Sequence, residues 1–175
     1  MGGLAKTAVA CASFVAASWC LADSNEWEVL RGLKVVSVSA SINSPSFEQS
    51  EVRECGLVDT GQFKPAAEFV LQRSRIKVTE PRGAQATFTV NVVVDPIHST
   101  TNGRTNLMGC TVDVNVILSA PINGITAWGG KVDQAVLFEV REHFATGAIG
   151  SIPGEISDTV TSLTKAFVVE WSKRN

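Results

Sequence analysis

Three segments of the chain alternate apolar and polar residues, which is the pattern of a strand with one buried face. They are residues 33–42, 86–94 and 110–118. The second and third are separated by a polar stretch that contains Asn102-Gly103, a dipeptide typical of hairpin turns. We therefore predict that segments 86–94 and 110–118 form an antiparallel pair with their valines on one shared face.

Less regular patterns predict further strands and turns. Residues 76–78 indicate a short strand, and residues 135–144 alternate well enough to predict another, although a helix would also accommodate them. Asp95-Pro96 is expected to end the strand that precedes it, and residues 121–124 are expected to form a turn.

Two segments show the spacing of amphipathic helices. The first is residues 62–74, in which Pro65 suits a first helical turn and Phe69 is expected to face the sheet with the other apolar positions. The second is residues 154–173. Its apolar side chains recur at steps of three and four and form one stripe: Ile156, Val160, Leu163, Phe167 and Trp171.

These elements predict an α+β fold. Strands with a single apolar face need cover on one side only, and two amphipathic helices can supply it. The predicted architecture is a two-layer sandwich, a mostly antiparallel sheet with two amphipathic helices on one face. No repeat or linker interrupts the pattern, so residues 23–175 are expected to form a single domain.

The N-terminal residues differ from the rest of the chain. Residues 1–22 combine Lys6, a short apolar stretch and a small residue before the first acidic side chain, Asp23. This is the pattern of a secretory signal peptide cleaved after Ala22. An uncleaved anchor or a buried helix is the alternative, and lipid attachment at Cys20 is a further one, disfavoured by the bulky Trp19.

The cysteine count depends on that cleavage. Of the four cysteines, Cys11 and Cys20 precede the predicted cut, which leaves Cys55 and Cys110. An even pair in an oxidising compartment indicates a disulfide, and Cys110 falls on the apolar face of its predicted strand. Two separately buried thiols are the alternative.

The charge balance argues against a nucleic-acid partner. The whole chain has a formal net charge of −2, and loss of Lys6 leaves 14 basic against 17 acidic residues, a net charge of −3. Phosphate backbones are bound by clustered Lys and Arg, and the longest basic run here is Lys173-Arg174.

The residues for catalysis or metal binding are sparse. The two histidines, His98 and His143, lie near no Gly-x-Ser-x-Gly, HExxH or CxxC motif. Asp95 with the two histidines is the best available metal set, and a solvated surface explains those residues better. We therefore expect no enzymatic activity, no catalytic or metal site and no cofactor.

A polar loop is the best candidate contact surface. Residues 97–109 are predicted to connect two strands, and loops on a rigid scaffold often carry function. Trp128, next to Gly129, is a candidate surface aromatic residue. The candidate partner-binding side chains of the loop are Ser99, Thr100, Thr101, Asn102, Arg104 and Asn106.

The order of these features resembles small exported bacterial α+β proteins of unassigned function. The features that carry the resemblance are Cys55-Gly56-Leu57, residues 69–78, 86–94 and 110–118, and the helix that ends near Trp171. In layout the chain is also similar to the N-terminal domain of the periplasmic TolB protein and to envelope assembly lipoproteins. The resemblance implies binding and assembly, and no catalytic residue carries over.

Three functions follow as hypotheses. The first is a non-catalytic envelope or secreted module, in the periplasm or outside the cell, that binds a protein partner. The second is a carrier of a small lipid or aromatic ligand that uses the sheet face near Trp128 and Phe138. The third is a hydrolase that uses His98 or His143. No membrane span is expected to remain after cleavage.

Overall fold

The computed structural model describes residues 30–61, 63–127 and 130–175. Within these ranges the strands are β1 (Val35–Asn43), β2 (Lys77–Val78), β3 (Ala86–Thr101), β4 (Arg104–Ala127) and β5 (Gly130–Thr146). The α-helices are α1 (Gln49–Glu54), α2 (Phe63–Arg73) and α3 (Ile152–Ser172).

The strands form one sheet in the order β2-β1-β3-β4-β5. β3 pairs antiparallel with β4, and β4 pairs antiparallel with β5. β1 is parallel to both of its neighbours, with Val36 opposite Ala86 and Asn43 opposite Val93 on β3. The chain is therefore an α+β protein with a mostly antiparallel sheet, as predicted. The parallel pair requires a crossover connection, and the segment that holds α1 and α2 supplies it.

The helices cover one face of the sheet, and three phenylalanines lie at the centre of that contact. Phe167 on α3 is 5.2 Å, between ring centroids, from both Phe88 on β3 and Phe138 on β5. Pairs at this separation contribute about 0.5–1.5 kcal/mol each beyond the area they bury. Most of the sheet positions predicted to point inward are buried: Val36, Val38, Val90, Val92, Val94, Val112, Val114, Val116 and Leu118. Ala40, Ile42 and Val140 are half-buried, and the prediction is wrong for Val136, which is 61% exposed beside the register shift in β5.

The two long helices differ in how well their buried stripes were predicted. α3 buries the predicted positions from Ile156 to Phe167. α2 instead turns Phe69 outward, where it is 57% exposed and lies under the guanidinium of Arg73, 4.7 Å from the ring centroid. The prediction that Phe69 faces the sheet is wrong, because a helix that buries Phe63, Ala67, Val70 and Leu71 carries position 69 to its opposite side.

The long strands extend beyond the predicted segments. β3 continues through Asp95-Pro96, so the prediction that this dipeptide ends the strand is wrong. Pro96 lies past Val93, the last β3 residue paired with β1, where β3 has become an edge that tolerates a missing N–H. The turn predicted at residues 121–124 is also wrong, since β4 runs through it with a register shift.

Some predictions fall on residues that the structure does not describe. The signal peptide at residues 1–22, with Cys20, and Trp128 all lie outside the described ranges. Within those ranges, none of the helices is both long enough and apolar enough to cross a membrane.

Candidate functional site

The stretch predicted as a polar loop is instead the end of a β-hairpin. β3 and β4 stay paired up to Asn102-Gly103, whose φ angles of 52° and 74° are both positive. Two consecutive residues with positive φ are what a two-residue type I′ hairpin turn requires, and Asn-Gly is the favoured pair. The predicted turn is confirmed, but the loop prediction for residues 97–109 is wrong. We call residues 98–107 the hairpin arm.

The hairpin arm extends past both neighbouring strands. β1 ends its pairing at Val93, and β5 ends its pairing with Thr146 opposite Cys110. Within the described residues, therefore, no strand pairs with either outer edge of the arm. Its backbone N–H and C=O groups on those two edges face outward, in the arrangement that an additional strand can use.

The predicted contact residues all lie in the hairpin arm. The arm pairs Ser99 with Asn106, Thr100 with Thr105, and Thr101 with Arg104. All of these side chains are exposed except that of Ser99, which is half-buried. The arm is therefore a two-stranded ribbon that presents hydroxyl and amide groups and one guanidinium to solvent.

A disulfide fixes the base of the hairpin arm. Cys110, which lies opposite Pro96 in the ladder, is joined to Cys55 directly after α1, and both cysteines are fully buried. Their Cα atoms are 6.0 Å apart, an ordinary separation for a disulfide. The two predicted partners are thus joined, and the bond ties β4 to the crossover segment.

A second contact at the base of the arm involves one of the two histidines, His98. His98 Nε2 lies 2.9 Å from Glu54 Oε2, across 44 residues of sequence. Glu51, one turn earlier on α1, has its pKa lowered by hydrogen bonds from Ser46 and Ser44, with His98 as a smaller electrostatic cause. His98 therefore faces an acidic helix, and the contact positions the first residue of the arm against α1.

The base of the arm also requires a glycine. A Cβ on Gly109 would lie 2.3 Å from the backbone oxygen of Thr146. Such a separation is not possible, so this position lets the end of β5 approach β4. Next to it the register shifts by one residue, and Met108 is left 59% exposed. With Ile97, which is 42% exposed, Met108 adds apolar surface to the polar arm.

The other histidine lies on the opposite, uncovered face of the sheet. His143 Nδ1 lies 3.0 Å from Asp113 Oδ1, its direct neighbour across β4 and β5. The two histidines thus have separate carboxylate partners and do not meet. Across the described residues, no group of three or more His, Cys, Asp or Glu side chains has the arrangement to hold a metal ion.

The uncovered face is lined mainly by polar side chains at hydrogen-bonding distance. Three pairs join β1 to β3: Ser37 with Thr87 at 3.2 Å, Ser39 with Thr89 at 3.0 Å, and Ser41 with Asn91 at 2.9 Å. Further across, a shallow depression of about 230 Å³ is lined by Asn91, Val93, Asp113, Asn115 and Arg141. The three pairs between β1 and β3 are hydrogen-bonded to each other, so this part of the face is a polar surface.

The ligand-carrier hypothesis loses one of its two aromatic residues. Phe138 is 6% exposed and packs against Phe167 under the helices. It therefore belongs to the core under the helices and not to an exposed face of the sheet, so its assignment to an exposed ligand-binding face is wrong. Sequence reasoning also missed Glu54 as a partner of His98, because the contact joins a helix and a hairpin far apart in the chain.

Comparison with known proteins gives distant structural likenesses. No family model and no curated protein match the chain. The chain is similar to a minor lipoprotein from Acinetobacter baumannii, with a TM-score of 0.35 and 10% identity over 78% of this chain and 94% of that one. It is also similar to a neuraminyllactose-binding hemagglutinin homolog from Helicobacter pylori, with a TM-score of 0.35 and 14% identity over 80% of this chain and 86% of that one. Likenesses this distant assign the chain to no family.

Proposed function

We propose that this chain is an exported, non-catalytic module that binds a protein partner through the hairpin arm. The observation that carries the proposal is that the arm extends past β1 and β5 with both backbone edges unpaired among the described residues. A protein segment that adds to a free edge gains main-chain hydrogen bonds, and the alternate side chains then determine specificity.

The base of the arm supports this role. The disulfide and the contact of His98 with Glu54 hold the arm against α1. The arm is therefore ordered before a partner binds, and binding does not have to offset the entropy cost of ordering it. Ile97 and Met108 provide apolar contact area beside the polar ribbon. A net charge of −2 and the single cation of the arm, Arg104, favour a protein over a nucleic acid.

The disulfide also supports export. A bridge between Cys55 and Cys110 persists in an oxidising compartment, and the pattern of residues 1–22 predicts a signal peptide. We propose the periplasm or the exterior of the cell as the compartment. A non-catalytic role is in keeping with the two imidazoles, each of which is exposed and has a carboxylate partner of its own.

The test shortens the arm without removing its turn. Excision of residues 99–101 and 104–106 joins His98 to Leu107 through Asn102-Gly103, so that a two-residue hairpin and the register at its base are kept. The control carries Ser39→Ala and Thr89→Ala, a polar pair on the open sheet face. Both proteins are crosslinked in the native host, and the captured proteins are identified by mass spectrometry.

We expect the shortened protein to lose its crosslinked partner while the control keeps it. A photo-crosslinking residue in place of Thr100 should capture that same partner, and one in place of the exposed Lys165 on α3 should not. An unchanged set of partners after excision would overturn the assignment of the arm.

A further inference from the structure

The two outer strands of the sheet differ in how they are protected. β2 consists of only Lys77 and Val78, and a short, charged strand is a common way to keep other chains from pairing with an edge. β5 runs from Gly130 to Thr146 and is the outermost strand on the other side. The edge formed by β5 is therefore long, and it lacks the protection that its shortness gives to β2.

The C-terminal part of β5 is regular enough to pair again. From Phe138 to Thr146 each residue keeps an unbroken register with β4, and the register shift lies before it, at Leu137. Alternate backbone groups of a regular antiparallel strand point away from its neighbour. In this part of β5 those groups are directed to the outside of the sheet.

The charges on this segment are arranged symmetrically about Val140. Glu139 and Arg141 flank it on the open face of the sheet, opposite Ile117 and Asn115 of β4. In a single chain they interact weakly, since Arg141 Nη2 lies 4.0 Å from Glu139 Oε1 and the arginine side chain is 71% exposed. The arginine thus has room for a second carboxylate.

We propose that β5 pairs with β5 of a second copy of this chain, antiparallel, around a two-fold axis that passes through Val140. Glu139 of each copy then lies directly opposite Arg141 of the other, which gives two reciprocal ion pairs. Opposite charges that face each other across antiparallel strands stabilise the pairing. The two sheets become one, with the helices of both copies on the same side.

The charges also select this register against its neighbours. An axis through Arg141 would place two arginines face to face, and an axis through Glu139 or Glu142 would do the same with two glutamates. Like charges directly opposite each other destabilise a strand pair. An axis through His143 would place Arg141 opposite Ala145 and form no ion pair. Among axes through residues 139–143, the one through Val140 is therefore the one that gives two ion pairs and no facing like charges.

Charge reversal and charge exchange test the pairing. Arg141→Glu puts glutamate opposite glutamate twice in each dimer, and we expect the dimer to dissociate at concentrations at least tenfold higher than for the native protein. Glu139→Arg should weaken it similarly. The double variant with both changes restores opposite charges and should restore the dimer. Lys165→Glu, an equal change of charge on exposed α3, should have no effect.

The measurement is the mass of the full exported protein by light scattering after size exclusion, over a dilution series. A protein that stays monomeric at every concentration would overturn the proposal, as would a dimer that both single variants, Arg141→Glu and Glu139→Arg, leave intact. The inference does not depend on the role of the hairpin arm, since shortening the arm should leave the dimer unchanged.

A cysteine crosslink tests the register in otherwise native protein. Val140→Cys brings the two new thiols together on the axis, and mild oxidation should link two chains covalently. Glu142→Cys, on the same face of the strand, lies opposite Phe138 of the second copy and should give little crosslinked product. Equal crosslinking at both positions, or none at Val140→Cys, would contradict the proposed axis.

Discussion

Strands β3 and β4 pass through two different environments. In the body of the sheet, residues 86–94 lie between β1 and β4 under the helices, and every second side chain is buried. In the hairpin arm, residues 98–107, the same two strands have no flanking strand among the described residues, and no side chain is buried. The backbone ladder is nevertheless continuous from one region to the other.

The comparison shows that apolar alternation and strand structure are separate properties. Alternation of apolar and polar residues indicates which side chains lie under a helix. The ladder of the arm persists without apolar alternation. The pairing of β3 with β4 in the body of the sheet sets the register, and the turn reverses the chain. An isolated two-stranded hairpin is marginally stable in water, so the arm depends on the body and on the contacts at its base. Changes in the body should therefore affect the whole protein, and changes in the arm should stay local.

The largest expected effect is in the body. Phe88→Ala removes a fully buried ring that contacts Phe167, and we expect a loss of about 3–5 kcal/mol in the free energy of unfolding. Denaturant unfolding measures it. The control is Thr89→Ala, the next residue on the open face, which should cost less than about 1 kcal/mol. A loss below 1 kcal/mol for the phenylalanine would contradict the contrast between the two faces.

The next effect is at the boundary of the two regions. Cys55→Ser with Cys110→Ser opens a bridge that spans 55 residues of sequence. We expect a loss of about 2–4 kcal/mol, since the unfolded chain regains conformational freedom. Amide exchange should also become faster in the hairpin arm, because its base is no longer tied to α1.

The reduced native protein is the control for that variant. Its unfolding midpoint should fall to that of the double variant, while reductant should leave the variant itself unchanged. A drop in stability without faster exchange in the arm would show that His98 and Glu54 hold the base by themselves.

The features predicted from the sequence are those with a local cause. In residues 86–94 and 110–118 the alternation of apolar and polar side chains itself identifies the buried face. In Asn102-Gly103 the preference of both residues for positive φ identifies the turn. The pairing of Cys55 with Cys110 followed from counting, once residues 1–22 were set aside.

The features that were missed depend on contacts between distant parts of the chain. Residues 95–101 show no apolar alternation, and only pairing with β4 makes them a strand. The outward direction of Phe69 is set by how α2 packs against α3 and β1, since its position in the sequence fits an apolar stripe equally well. Neither the sequence around His98 nor the sequence around Glu54 indicates that these two residues are in contact.

The smallest expected effect is at the tip of the arm, and it tests whether the arm is energetically local. Gly103 has a φ of +74° and no atom within 4 Å of the position that a Cβ would occupy. Gly103→Ala therefore meets no steric contact, and its cost is the left-handed backbone of a residue with a side chain, about 1–2 kcal/mol. Gly150→Ala is the matched control, because that site is equally open and its φ is ordinary.

We expect Gly103→Ala to speed amide exchange in residues 98–107 by about tenfold, as a local cost of 1.4 kcal/mol implies, and to leave exchange in residues 86–94 unchanged. The arm opens while the body stays closed, so the midpoint of global unfolding should hardly move. If exchange in the body accelerated equally, the two halves of β3 and β4 would unfold as one unit, and the arm would be an extension of the core with no independence of its own.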